Sequence, residues 1–167
     1  NAMLQFKQDY DNNTPLELCI HDLVEDYGSR YADMGLKDLC DEMFNAMKTI
    51  KTTHYLAAAF SVLPHPDMTP ADAYEQLVLD HIKKVDLKGM ANQTLATGIV
   101  PYPPGIPLIM PGENAGPADG PLIGYLQSLE AFDKLFPGFA HDSHGVESED
   151  GKYFVYVLDK SKPGKKK

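Results

Sequence analysis

The sequence predicts an α+β fold, and three observations carry that reading. Apolar residues recur at helical spacing through the first half of the chain, short β-branched segments bounded by proline and glycine begin near Thr94, and a last helical stripe is followed by a hairpin signal. The expected architecture is a helical N-terminal half, then a small mixed or antiparallel sheet with one further helix and a C-terminal hairpin. At 167 residues the chain has the length of one domain and can bury a core without disulfides or a structural metal.

Each element has its own signal. Thr14-Pro15 places a capping hydroxyl and a proline where a helix begins, and Leu16, Cys19, Ile20, Leu23 and Val24 follow at helical spacing, so a first helix is expected from Pro15 to Tyr27, closed by Gly28. Leu36, Leu39, Cys40, Met43, Phe44 and Met47 form the stripe of a second. An alanine-rich run from Thr53 to Leu63 is a third, stopping before Pro64, and Thr69-Pro70 opens a fourth that reaches His81. Thr94 to Val100 and Ile106 to Met110 read as strands. Seven of the 13 prolines lie between Pro101 and Pro121, which makes that stretch extended, stiff and poor in donors. Leu122 to Phe136 returns to helical spacing from Pro121 until Pro137-Gly138, and Gly145–Glu147 with Tyr153–Leu158 forms the hairpin around Glu149-Asp150-Gly151.

Composition narrows the function. The net charge is -9, and since five of the 15 cations sit in the last eight residues, the body carries -14. Such a body repels phosphate backbones, so no nucleic-acid partner is expected. No apolar run reaches the roughly 18 residues of a membrane helix, so no membrane partner is expected either. Two cysteines, Cys19 and Cys40, make no disulfide framework and fit a cytoplasmic setting. Both fall on apolar helix faces, as buried thiols do. Residues 1–11 read as an expression remnant before Met3 plus a lead-in, 12–159 as the folded domain, and 160–167 as a basic disordered tail.

The segment Pro101-Tyr102-Pro103-Pro104-Gly105-Ile106-Pro107-Leu108-Ile109-Met110-Pro111-Gly112-Glu113 resembles the signature of the C-terminal domain of the bacterial ornithine/lysine/arginine decarboxylases of the large inducible type. Pro137-Gly138-Phe139, Asp142-x-His144-Gly145, Met68 to Tyr74 and Gly35 to Leu39 look like the same family, so the resemblance spans about residues 12 to 159. It implies an Orn/Lys/Arg decarboxylase C-terminal-domain-like fold. It also implies a parent carboxy-lyase, dependent on pyridoxal phosphate, that turns lysine, arginine or ornithine into the amine and carbon dioxide. Such enzymes consume a proton and serve acid resistance or polyamine synthesis. By resemblance the partners are the pyridoxal-phosphate-binding domain of the same polypeptide and further copies in a dimer-based homo-oligomer. The pattern from Gly35 to Met43 is nearer the arginine type.

The departures are equally informative. Family enzymes hold the cofactor on a lysine in a Ser-x-His-Lys setting, and no lysine here follows a histidine. The chain is therefore expected to be a piece of a longer polypeptide, with no catalytic residue, no cofactor-binding residue and no activity alone. A stand-alone regulatory or binding protein that kept this domain is the competing reading.

Proline fixes its own φ and restricts the residue before it, so Pro101 to Pro111 suits a rigid wall. In the functional reading that wall faces the catalytic domain, at the substrate-channel entrance or a subunit contact, with Tyr102, Pro103, Pro104, Gly105, Glu113, Asp142 and His144 as its members. In the structural reading it packs on its own sheet, and Glu113 is a solvated carboxylate near a turn. His141, Asp142 and His144 could in principle ligate zinc or iron, but a structural site wants a fourth ligand, and a loop ahead of the hairpin explains them without a metal.

Overall fold

The computed structural model describes residues 1–102 and 105–162. Pro103, Pro104 and the residues from Pro163 onward lie outside the described residues. The chain opens with α1 (Ala2–Asp11), whose N-terminus is capped by Asn1 and none of whose residues is buried. It leans on the second half of the helical layer through Tyr10, whose hydroxyl donates to Asp41 at 2.8 Å. The sequence predicts no element in this lead-in, because Met3, Leu4 and Phe6 stay exposed and write no buried stripe.

The expected first helix is two. A single turn, α2 (Leu16–Cys19), breaks at Ile20, and α3 (His21–Tyr31) is two helical pieces separated by a kink at the non-helical Tyr27 (φ -130°, ψ 38°). The first helical piece therefore closes at the predicted Tyr27–Gly28 boundary, and one further turn carries the chain on to Tyr31. Tyr31 in the last turn is fully buried, donates its hydroxyl to the Pro137 carbonyl at 2.8 Å and meets Phe139 edge to face.

Helix α4 (Leu36–Ile50) begins at Gly35 and is capped from outside its own segment. Asn13 Oδ1 accepts the Lys37 and Asp38 amides at 3.0 and 3.2 Å, and its Nδ2 donates to Asp38 Oδ2 at 2.7 Å. A Cβ on Gly35 would lie 2.1 Å from that Oδ1, so the cap needs glycine there. Helix α5 (Thr52–Ala59) stops four residues before the expected Leu63; Phe60 and Ser61 close it in a turn, and the chain is irregular from Val62 to Pro64. Helix α6 (Pro70–Val78) starts as predicted, with Thr69 accepting from the Asp72 amide, but ends three residues short of His81. Asp80, at φ +55°, turns the chain into a strand that the helical reading concealed.

That strand is β1 (Ile82–Asp86), antiparallel to β5 (Lys152–Leu158), which also pairs β4 (Glu147–Glu149), giving the order β1-β5-β4. Beyond β4 the extended segments add to this sheet through isolated bridges. Leu95 pairs Val157, Thr94 pairs Asn114, and Pro66 pairs Glu113. The expected strands Thr94–Val100 and Ile106–Met110 therefore exist mainly as bridged extended chain, since glycines and prolines interrupt regular ladders. A separate ribbon joins β2 (Val100–Tyr102) to β3 (Asp142–His144), the second a strand where the sequence predicts a loop.

Helix α7 (Pro121–Leu135) ends within one residue of its predicted limit and organises both cores. Ile123, Leu126 and Leu129 pack with Leu95, Ile99, Val155 and Val157 in one cluster. One turn on, Phe132 and then Phe136 belong to a second cluster with Leu16, Leu23, Tyr31 and Leu39. Burying each such side chain stabilises the fold by roughly 1.5–3 kcal/mol.

Candidate functional site

The ribbon brings three of the predicted contact residues together. Tyr102 stands opposite Asp142, and His144 opposite Val100, so the tyrosine ring, a carboxylate and an imidazole share one short pair of strands. All three are exposed, Tyr102 to 59%, and the His144 Nε2 is 4.0 Å from Asp142 Oδ2. Gly105 closes the turn by donating its amide to the Pro101 carbonyl at 2.9 Å. At φ +78° and with Tyr102 ring carbon 3.2 Å from where a Cβ would stand, that position takes glycine.

Glu113 belongs to a different locus. Its Oε2 accepts the Met110 amide at 2.7 Å, and its backbone is bridged to Pro66 and accepts from the Leu95 amide. The carboxylate thus stabilises its own turn. Beside it, Asp67 Oδ2 accepts from Thr94 Oγ1 at 2.5 Å and from Asn114 Nδ2 at 3.0 Å, and these two hydrogen bonds hold its carboxyl below the usual carboxylate value. Next to this cluster lies a cavity of about 140 Å³ lined by Val62, Leu63, His65, Asn114, Pro117 and Leu122. Leu63 is 93% exposed at its rim. The cavity escaped sequence reading, because its walls come from three segments and only Leu63-Pro64, apolar and forced to be extended, hints at it.

Strand alternation separates His141 from Asp142 and His144. The His141 ring turns inward, where Nδ1 lies 2.6 Å from Asp133 Oδ1 and the ring meets Phe132 edge to face, while Asp142 and His144 point to solvent. Among the described residues no three His, Cys, Asp or Glu are grouped to hold a metal ion. Asp133 also takes the Tyr153 hydroxyl, and burial, with that carboxylate second, pushes the phenol well above its ordinary value. Neither Asp133 nor Tyr153 was singled out from the sequence, since residues eight and 20 positions from their partners write no local motif.

The described residues do not fit a pyridoxal phosphate site. The cofactor needs a lysine held in a closed pocket, and every described lysine is at least partly exposed. Nor, among the described residues, is any helix long and apolar enough to cross a membrane.

The fold is α+β, with Tyr102, Asp142 and His144 gathered on one exposed ribbon. The chain belongs to the Orn/Lys/Arg decarboxylase C-terminal domain family, whose model matches residues 53–159. It is 41% identical over 158 residues to the biodegradative arginine decarboxylase of Escherichia coli K12, covering 95% of this chain and 21% of that protein. It is 38% identical over 149 residues to the lysine decarboxylase LdcA of Pseudomonas aeruginosa, covering 89% and 20%. Among solved structures, lysine decarboxylase A from Pseudomonas aeruginosa superposes with a TM-score of 0.86 at 36% identity, over 93% of this chain and 21% of that one. The constitutive lysine decarboxylase of Escherichia coli does so with 0.85 at 31% identity, over 93% and 22%. The chain spans about a fifth of the length of these relatives.

Proposed function

We propose that this chain is the C-terminal accessory domain of a pyridoxal-phosphate-dependent decarboxylase of lysine, arginine or ornithine. Its membership of the family, at a fifth of the relatives' length and, among the described residues, without a lysine suited to the cofactor, carries the reading. The chemistry lies on the cofactor domain of the same polypeptide, and this domain contributes contacts at the substrate-channel entrance or between subunits. The ribbon bearing Tyr102, Asp142 and His144 is the contact surface, with Gly105 shaping its turn. Glu113, at a separate locus, fixes the turn at Met110. An acidic body beside a channel would raise the local concentration of a cationic amine or guanidinium substrate. The enzyme works as a dimer-based homo-oligomer in the cytoplasm.

The test is an assay of the full-length parent, purified with pyridoxal phosphate and offered lysine, arginine and ornithine separately. One of the three is decarboxylated, and the 167-residue chain alone turns over none. A parent inactive on all three, or an active isolated chain, defeats the reading.

A further inference from the structure

The β2–β3 ribbon cannot account for its own order. Two strands of three residues are marginal in water, and Pro101 at the centre of β2 has no N–H to give. Something outside the ribbon has to hold it. At one end Gly145, at φ +81°, lets the chain pass so close to Gly98 that a Cβ would lie 1.9 Å from its carbonyl oxygen. At the other end stands Asp133 of α7.

The Asp133 side chain is 11% exposed and is surrounded by donors. The His141 amide donates to both carboxylate oxygens, at 3.2 and 3.1 Å, and His141 Nδ1 lies 2.6 Å from Oδ1. The Tyr153 hydroxyl donates to Oδ2. Because an ionised carboxylate only accepts, Nδ1 carries the hydrogen and the ring has one orientation. Tyr153 is 2% exposed on β5, and Glu130, on the same helix, takes its amide at 2.6 Å, so the two carboxylates do not compete for donors. One side chain therefore ties the residue immediately before β3 to the helix and to the central strand at once.

We infer that Asp133 is the positioning residue of the ribbon: it sets the direction in which the Tyr102–Asp142 pair projects from the α7–β5 core. The significance of that direction rests on the proposed contact role, whereas the tie itself stands on the geometry alone. Removing the acceptor frees His141 and with it β3, while the hydrophobic packing of α7 against β5 through Leu126, Leu129, Val155 and Val157 persists.

Residue-resolved amide hydrogen exchange on the 167-residue chain tests this. Asp133→Asn turns an NH2 toward donors, and exchange at His141, Asp142 and Tyr102 should rise about tenfold or more, with the Val155 and Val157 amides unchanged within about twofold. Tyr153→Phe removes one donor and should give a smaller rise at the same amides, and it carries the comparison if Asp133→Asn does not fold. Unchanged ribbon exchange, or a rise shared equally by β5, overturns the inference. In the full-length decarboxylase Asp133→Asn should raise KM several-fold and leave kcat within about twofold. A loosened ribbon with unchanged KM keeps Asp133 as positioning residue and defeats the channel-side role instead; an ordered ribbon overturns the inference whatever KM does.

Discussion

The described residues form two sheets, and they hold together in different ways. In the three-stranded sheet the seven-residue β5 alternates buried Tyr153, Val155 and Val157 with partly exposed Phe154 and Tyr156, so its register is written in its own sequence and enforced by α7. The ribbon has strands of three residues, a central proline and no alternating pattern long enough to choose a register. Side chains and glycines elsewhere choose it instead. An element that buries its own stripe is robust to a lost hydrogen bond, whereas an element held by a few outside contacts can be loosened by one change. The exposed candidate residues Tyr102, Asp142 and His144 all sit on the second kind.

Leu95→Ala is the largest way to break the contrast. Leu95 is fully buried and bridges Val157, so its removal leaves a cavity in the sheet core and should cost about 2–5 kcal/mol. Chemical denaturation would show a lower midpoint with an unchanged slope, and the ribbon and sheet would lose protection together. Gly145→Ala attacks the other side. The positive φ and the approach to Gly98 make any Cβ costly there, roughly 1–3 kcal/mol, and the loss should appear in the exchange of residues 98–102 and 142–146 with β1 and β5 protected as before. A Gly145→Ala chain as stable as the parent would mean that the ribbon needs no such contact.

What could be read from the sequence follows the same division. Helices with a complete buried stripe or a local cap were legible: α7 over both cores, α4 from Leu36, and α6 from its Thr69-Pro70 start. Features decided by distant partners were not. The end of α3 depends on Pro137 and Phe139 receiving Tyr31, the cap of α4 comes from Asn13, and β1 has only Ile82 and Val85 to mark it until β5 pairs with it. At the candidate site, the proline-rich signature points to Tyr102, which the structure places opposite Asp142, and to Gly105, which closes the turn onto Pro101. Glu113 looked equally available in sequence, yet its carboxylate is occupied by the Met110 amide. Asp133 has no motif at all, because its role comes from donors on two other segments.

The smallest effect sharpens the contrast where the large sheet fades into bridged chain. There Asp67 stands in for a ladder, pinning Thr94 and Asn114 through one oxygen while His65 Nδ1 lies 3.4 Å from the other. Its carboxyl is held below the ordinary value of 3.8, first by Thr94 and then by Asn114. A depressed carboxyl contributes its stability in full above the unfolded value and loses it as the pH falls through the folded one. Asp67→Asn keeps one acceptor oxygen but not the charge, so it should cost on the order of 1 kcal/mol at neutral pH. The gap between the two proteins, read as the difference in denaturation midpoint, should stay constant from neutrality down to about pH 5 and close below about pH 4. A gap that persists at low pH would show that the bridged edge depends on the shape of the Asp67 side chain and not on its charge, and would make this edge resemble the packed sheet more than the ribbon.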